Sequence, residues 1–437
     1  MMQSLIKEST YISNLEQATP TNTPVHVIDS IMGSGKTSWA IQYMNQADED
    51  TNFIYITPFL SEVQRVKDSV TRRHFVEPLQ KGNGKLNHLK KLIIDECDIT
   101  STHALFEQAD EELIELIKAG NYTLILDEAM NVVEQCELNK DSFQLLLENN
   151  MIRVEEETGL IRWNDESKFQ DTPFNNIKNL AKSENLYFFE NTVLFWTFPV
   201  STFKAFNEVF IMTYLFQCQQ QKYYYDMYNV QYGYKAVQQL HDTYILVNHE
   251  DKEPYDKELL KSLITIYDGK LNNIGEDNYA FSFSWFKKDK NKHLVEKLKK
   301  NIYTYFRRTT NTPALYNMWT CFKDDMNRLA GNGYRGIKHK KGEKYRQKEC
   351  FVPHNLRATN DFAHKTSLAY VVNKFMNPYE KKFFQSKGID VNEDLYALSE
   401  LIQWIWRSRI RDNQPINLYI PSKRMRNILE EYLESEL

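Results

Sequence analysis

Residues 25–37 read Val-His-Val-Ile-Asp-Ser-Ile-Met-Gly-Ser-Gly-Lys-Thr, an apolar run followed by a two-glycine turn and the start of an amphipathic stretch to Asn45. No other segment restricts the fold as tightly. A short buried strand has to end near Asp29 and a helix has to begin near Lys36. Gly33 and Gly35 let backbone N–H groups curl around an anion without a Cβ in the way. The helix that follows turns its positive end toward the same point. A lysine at 36 is placed to reach β- and γ-phosphates, and the Thr37 hydroxyl is placed to ligate Mg²⁺. Gly33, Ser34, Gly35, Lys36, Thr37 and Ser38 are therefore the candidate nucleotide-binding residues, with ATP and Mg²⁺ as the expected cofactors. Ser30 stands where the general pattern has glycine.

A phosphate loop of this kind works with a second strand that ends in an acid. Two segments offer one, Leu92-Ile93-Ile94-Asp95-Glu96-Cys97-Asp98 and Thr123-Leu124-Ile125-Leu126-Asp127-Glu128-Ala129-Met130. The second has the longer apolar run and leaves room after Lys36 for two intervening strand–helix units. It assigns Asp127 to the metal and Glu128 to polarising the attacking water. The bland reading of Asp95 and Glu96 is a helix cap or a solvated loop.

Strand-like runs at Phe53–Thr57, Thr123–Leu126, Thr192–Phe198 and Val209–Thr213 alternate with helical patterns such as Leu60–Arg73 and Asp110–Ala119. That alternation predicts an α/β fold with mostly parallel sheets flanked by helices. Gln217–Tyr234 reads as a surface crossing near a domain boundary. A second strand series follows at Thr243–Asn248, Tyr279–Trp285, Ala314–Cys321, Glu349–Val352 and Ile416–Ile420. The expected organisation is an extension over 1–22, a first domain over 23–235 and a second over 236–437.

The net charge of −5 hides an uneven distribution. Residues 281–348 hold 18 Lys and Arg against 5 Asp and Glu, a net of +13, and 331–348 read as a basic loop. Such a stretch suits a polyanion, although a lysine-rich solvated face has the same composition. Five cysteines at 97, 136, 218, 321 and 350 lie too far apart for a zinc or disulfide framework and fit a reducing compartment. No apolar run approaches the roughly 18 residues of a membrane span. A cytoplasmic location without membrane partners is expected.

The phosphate loop and the Asp127-Glu128-Ala129-Met130 box together resemble superfamily 2 helicases, the DEAD/DEAH-box group in the broad sense, in the compact style of phage-encoded members. In that family serine is common at the position of Ser30. The resemblance implies two RecA-like domains with the ATP cleft between them. It extends to Ile56-Thr57-Pro58-Phe59-Leu60 and to Ile99-Thr100-Ser101-Thr102-His103-Ala104-Leu105, which are similar to backbone-contacting motifs of the family. Thr213 matches the last residue of the family's Ser-Ala-Thr motif. Asn355 to Asp361 is similar to its motif V, and Leu401 to Arg411 to its motif VI, with Trp406 in place of glycine and the last arginine one residue late.

These matches imply Lys36 and Glu128 as catalytic residues, with Gln403, Arg407 and Arg411 completing the set. On one helix the last three would share a face at i, i+4 and i+8, so that two guanidiniums reach the γ-phosphate as arginine fingers. Thr57, Pro58, Thr102, His103, Arg357 and Asn360 become candidate nucleic-acid contacts that bind the backbone without reading bases. Interleaved Tyr303, Tyr305, Phe306, Arg307 and Arg308 are either base-stacking or helix-core residues. Gln17 is a candidate adenine reader.

The expected function is an ATP-dependent helicase or translocase on nucleic acid, single-stranded DNA ahead of RNA, in phage DNA replication or recombination with replication proteins as partners. The alternatives are a non-unwinding ATPase switch or loader, a small-molecule P-loop kinase, and a binding protein with a decayed ATP site.

Overall fold

The computed structural model describes residues 23–80, 84–136, 138–164, 173–190, 192–252, 257–335, 349–356 and 361–435. They contain seventeen strands. In the N-terminal half these are β1 (Val25–Asp29), β2 (Asn52–Thr57), β3 (Phe75–Val76), β4 (Asp98–Thr102), β5 (Tyr122–Asp127), β6 (Val133–Cys136), β7 (Ile152–Val154), β8 (Ile161–Trp163), β9 (Leu186–Phe189), β10 (Val193–Thr197), β11 (Glu208–Thr213), β12 (Gly233–Leu240) and β13 (Thr243–Asn248). The C-terminal half adds β14 (Ile264–Ile266), β15 (Asn317–Thr320), β16 (Ser367–Tyr370) and β17 (Ile416–Tyr419).

The chain divides into two compact units. The first is built on an eight-stranded sheet in the order β13-β12-β1-β11-β5-β2-β4-β3. Every pairing in it is parallel except that of the β12–β13 hairpin. Parallel strands are covered on both faces, and β1, β2, β5 and β11 are accordingly near-continuous buried runs. Helix boundaries follow local chemistry. Asp110 accepts from the backbone N–H of Leu113 and caps the helix Glu111–Ala119, whose first turn carries two acids.

Between β5 and β11 the chain builds an inserted module. β6, β10 and β9 form an antiparallel three-stranded sheet, joined by the β7–β8 hairpin and the helices Lys140–Glu148 and Asn175–Lys182. It has a core of its own that includes Phe143, Leu146, Ile161, Trp163 and Leu186. The first unit also takes in Tyr379–Val391 from far along the chain. Phe383 of the helix Pro378–Ser386 is buried against the rings of Tyr187, Phe189 and Phe195, with centroids 5.8, 5.8 and 4.8 Å away.

The second unit is a four-stranded, fully parallel sheet in the order β14-β17-β16-β15. Asn392 caps the helix Glu393–Ile405 and Ser422 caps the helix Lys423–Glu434. Lys365 is completely buried there, its ammonium donating to the carbonyls of Leu315 at 2.8 Å and Glu349 at 2.7 Å. Among the described residues no helix is long and apolar enough to cross a membrane.

Several expectations change. The β12–β13 hairpin pairs with β1, so a boundary at 235/236 cuts through β12, and the first unit reaches Lys252. Gln217–Tyr234 is no surface crossing, because it contains the helix Gln220–Met227 with Gln221, Tyr223, Tyr224 and Tyr225 buried. Leu92–Ile94 is the end of a helix that begins at Lys85, and Asp95 caps its C-terminus. Tyr279–Trp285 is a turn followed by the helix Phe283–Lys287. In the second unit β14 and β16 stand where no strand is expected, and the expected strand Glu349–Val352 makes only an isolated bridge from Phe351 to Trp319. Of the basic loop at 331–348, residues 336–348 lie outside the described residues.

Removing the Phe383 ring leaves a cavity among three aromatic neighbours, and such truncations cost ~3–5 kcal/mol. Phe383→Ala is expected to lower urea stability by that order and to speed proteolysis within 133–197. An unchanged cleavage pattern there would show that this helix does not hold the module.

A second expectation concerns pH. Burial lowers the Lys365 ammonium to about 8, whereas an unfolded lysine titrates near 10.4. Between these values the unfolded chain holds the extra proton, so stability rises with pH through that window and the penalty is constant below it. Relative to Lys365→Met, the wild type is expected to gain up to about 3 kcal/mol between pH 8 and 10.5 in chemical denaturation. A difference independent of pH would contradict this.

Candidate active site

Parallel register lines up the C-terminal ends of five strands in one row. Asp29 pairs with Thr213, Met212 with Asp127, Ile56 with Leu126, and Thr57 with Thr102. Asp29, Thr213, Asp127, Thr57 and Thr102 therefore share one edge of the sheet, where ligands of open α/β sheets bind.

The phosphate loop leaves this edge after Asp29. The Asp29 carboxylate accepts from the backbone N–H groups of Leu215 and Phe216 at 2.8 and 2.9 Å, tying the end of β1 to the turn after β11. Ser30 is buried, donates its N–H to the Thr213 carbonyl and accepts at Oγ from the N–H of Val237 in β12. That last bond is a structural reason for serine where the general pattern has glycine. Gly33 and Gly35 lie at φ 84° and 94°, and the helix Lys36–Gln46 starts directly after. A Cβ on Gly33 would meet nothing within 4 Å, whereas one on Gly35 would stand 2.1 Å from the Tyr244 ring.

The Lys36 ammonium donates to the Ser30 carbonyl. Its pKa lies below that of an ordinary lysine because desolvation outweighs Glu128, Asp29 and Asp127, in that order. Lys36 and Asp127 keep some exposed surface, but the protein packed around them is enough for desolvation to govern both. The Asp127 carboxyl is pushed up to about 7, first by desolvation and then by Glu128. Tyr55, which the sequence did not single out, donates its hydroxyl to Asp127 Oδ2 at 2.8 Å. The following residue, Glu128, sits at φ 74°, held there by its N–H to the Met212 carbonyl at 2.9 Å. A non-glycine residue in that region stores backbone strain of the kind found at functional sites. The buried hydroxyl oxygens of Ser34, Thr57 and Thr213 have no hydrogen-bond partner among the described residues.

The expected nucleic-acid contacts are placed less uniformly. Thr57 is completely buried at the end of β2, which removes it from any surface, while Pro58 beside it is partly exposed. Thr102 ends β4 with partial exposure. His103 turns inward to hydrogen-bond the backbone of Asp127, and desolvation lowers its pKa to about 4, so the ring is neutral. Arg357, Asn360 and Gln17 lie outside the described residues. Tyr305 and Phe306 are core residues, and Tyr303 is exposed.

In the second unit Gln403, Arg407 and Arg411 do not share a helix face. The helix stops at Ile405 because the Ser408 hydroxyl takes the Ile405 carbonyl at 2.7 Å, and the Arg409 N–H goes to the Lys365 carbonyl instead. Gln403 is buried and donates to Ser399 Oγ at 3.1 Å. Arg411 follows in a 3₁₀ turn, Arg409–Asp412, where burial lowers its pKa.

The sequence is 45% identical over 423 residues to the SPbeta prophage-derived protein YonV of Bacillus subtilis (strain 168), covering 94% of this chain and 99% of that one. Residues 133–196 match the family described as the YonV middle domain, and residues 258–433 the YonV C-terminal Rossmann-like domain. The middle-domain match falls on the inserted module. In structure the chain is similar to an XPD helicase, with a TM-score of 0.50 and 11% identity over 99% of this chain and 97% of that one. Xpd4 of S. tokodaii gives 0.48 and 13%, covering 100% and 98%. At 11% identity the likeness to the XPD helicase is one of fold alone.

Alanine at either loop glycine carries left-handed strain of ~1–3 kcal/mol, but only at 35 does it also strike a ring. Gly35→Ala is expected to lower the melting temperature more than Gly33→Ala. Adding Tyr244→Ala should narrow that gap. Equal losses at both glycines would mean that Tyr244 does not constrain the loop.

Proposed function

The chain belongs to the YonV family, and from that premise we propose that it is an ATP-dependent helicase or translocase of superfamily 2 type. We infer nucleic acid as its substrate, DNA in preference to RNA, in phage DNA replication or recombination within the host cytoplasm. The observation that carries the reading is the desolvated Lys36 ammonium at the glycine turn, with Asp29, Asp127 and Glu128 around it.

The residues present fit a nucleoside triphosphate and its magnesium ion. Open space beside Gly33 and the partnerless buried hydroxyl of Ser34 suit phosphate oxygens. Lys36 would bind the β- and γ-phosphates, and Thr37 with Asp127 would hold the metal. Magnesium supplies charge neutralisation on the transferring phosphoryl group. Glu128 would orient and deprotonate the attacking water. Tyr55, by donating to Asp127, keeps that carboxylate aimed and favours its ionised form. A cation beside Asp127 would draw its pKa down and restore the charge that desolvation opposes. Arg407 and Arg411 are candidates for arginine fingers, and Arg407→Ala in the same assay tests the first of them.

Steady-state ATP hydrolysis is to be measured with and without single-stranded DNA, single-stranded RNA and duplex DNA. Stimulation by one of them is expected, with Lys36→Ala and Glu128→Gln reducing kcat by at least about 100-fold and Arg407→Ala by a comparable factor. Displacement of a strand from a forked duplex separates a helicase from an ATPase that only switches its grip. Hydrolysis indifferent to every nucleic acid would overturn the proposal.

A further inference from the structure

The second unit carries a built column of planar groups that its core does not use. Phe375, which follows β16, has the Arg424 guanidinium over its ring at 4.1 Å and the Tyr279 ring stacked against it at 5.7 Å and 26°. Arg424 is locked in place. It donates to Asn373 Oδ1 at 2.9 Å, to the Lys374 carbonyl at 2.7 Å and to Asp394 at 2.6 Å. Tyr279 ends the column and is 64% exposed.

An aromatic ring left in water is ordinarily a mobile surface group, but this one is held on a rigid support. The buried Asn373 side chain donates to the carbonyls on both sides of it, Asn278 at 2.7 Å and Ala280 at 2.9 Å. The Asn373 N–H binds the Phe281 carbonyl at 3.0 Å, and Lys423 N–H binds that of Gly275 at 3.0 Å. Phe281 is buried at φ 64°, so the segment alternates outward Tyr279, inward Phe281 and outward Phe283. Phe283 is 53% exposed, edge-on to Phe322 at 5.6 Å and beneath the Lys287 ammonium at 4.9 Å. Lys287, Lys288, Lys292 and Arg328 line a shallow groove there, together with Asp289 and Glu296; Lys287, Lys292 and Arg328 are paired with Asp324, Asp289 and Asp325. Over the described part of the basic segment, 281–335, there are 12 Lys and Arg against 4 Asp and Glu, a net of +8.

We propose that the Tyr279–Phe375–Arg424 column, with Phe283 beside it, is a stacking platform for the bases of single-stranded nucleic acid. The inference rests on the nucleic-acid reading above and adds to it a base-contacting subsite. A pre-ordered ring that stays largely exposed loses little entropy on stacking a planar partner. Every base offers a π-face, so the contact is tolerant of sequence. The net positive charge of the neighbouring segment 281–335 favours a strand carrying phosphates over an uncharged or basic aromatic peptide. Duplex bases are already stacked on both faces, which restricts the platform to single strands.

The test uses the full chain and fluorescence anisotropy with labelled oligothymidylate and an abasic strand of equal length. The wild type should bind the base-bearing strand about 10-fold more tightly than the abasic one. Tyr279→Ala should lose that factor on oligothymidylate and nothing on the abasic strand, with an unchanged salt slope, and Tyr279→Phe should retain it. Tyr279→Ala binding both strands as the wild type does, or weakening both equally, overturns the platform. If DNA stimulates wild-type hydrolysis in either case, the ATPase reading survives. Wild type that binds neither strand overturns both. If Tyr279→Ala dissociates an oligomer in sedimentation while strand affinity is unchanged, the ring is a contact between copies of the chain, and the platform is overturned.

Discussion

In the register that sets Asp29 beside Thr213 and Met212 beside Asp127, three parallel strands end within a peptide of one another. The chemistry of the first unit depends on that coincidence. The phosphate loop springs from the first strand end, the Asp127-Glu128 pair from another, and the backbone between them is bonded. Ser30 N–H goes to Thr213, Glu128 N–H to Met212, and Asp29 receives the turn after β11. A slip of one residue in β11 would turn its side chains to the opposite faces of the sheet and separate Lys36 from the acids it needs. The sheet therefore acts as the ruler for the site, and its buried apolar runs hold the ruler rigid.

The same arrangement makes the site electrostatically expensive without a ligand. Lys36 is partly stripped of water, and the carboxylates near it do not fully compensate. Asp127 is held up to about 7, so much of its charge is lost near neutrality. Both shifts come mainly from desolvation, and a bound cation and polyphosphate would relieve both. The strained Glu128 backbone adds to this reservoir. Groups held away from their relaxed state in this way gain more from the correct ligand than preformed ion pairs do, which is how a site comes to discriminate between empty and filled.

The legible parts of the sequence were those where one local signal decided the structure. The glycine turn, β1, β2, β5 and β11 stand where the apolar runs and Gly33-Ser34-Gly35 place them. Patterns failed where tertiary partners decided instead. Tyr279–Trp285 alternates like a strand, but Asn373 captures the carbonyls on both sides of Tyr279 and bends it into a turn. Gln403, Arg407 and Arg411 have helical spacing, but Ser408 removes the carbonyl the next turn requires. Gln217–Tyr234 looked polar because a run of tyrosines counts as amphipathic, whereas Tyr223, Tyr224 and Tyr225 are buried. Tyr55 was invisible as a site residue, since within a strand only its register opposite β5 shows which acid it meets. In the inserted module, whose strands have only three to five residues and pair mostly in local hairpins, only the strand at 193–197 was readable.

The two units put one kind of sheet edge to different uses. In the first, β1, β11 and β5 end in short polar residues, Asp29, Thr213 and Asp127, which suit phosphates and a hard cation. In the second, the residues that follow β15 and β16 include Phe322 and Phe375, and β17 is followed by Arg424. Rings and a guanidinium suit flat, uncharged faces with phosphates nearby. Asn373 is fully buried in order to fix that edge, although a hydrocarbon there would avoid desolvating an amide. Its hydrogen bonds hold a loop whose outermost ring contributes nothing to the core. Burying a polar group to immobilise an exposed aromatic is hard to explain by stability alone. The same arrangement is readily explained by a surface that must meet another flat molecule in a fixed orientation.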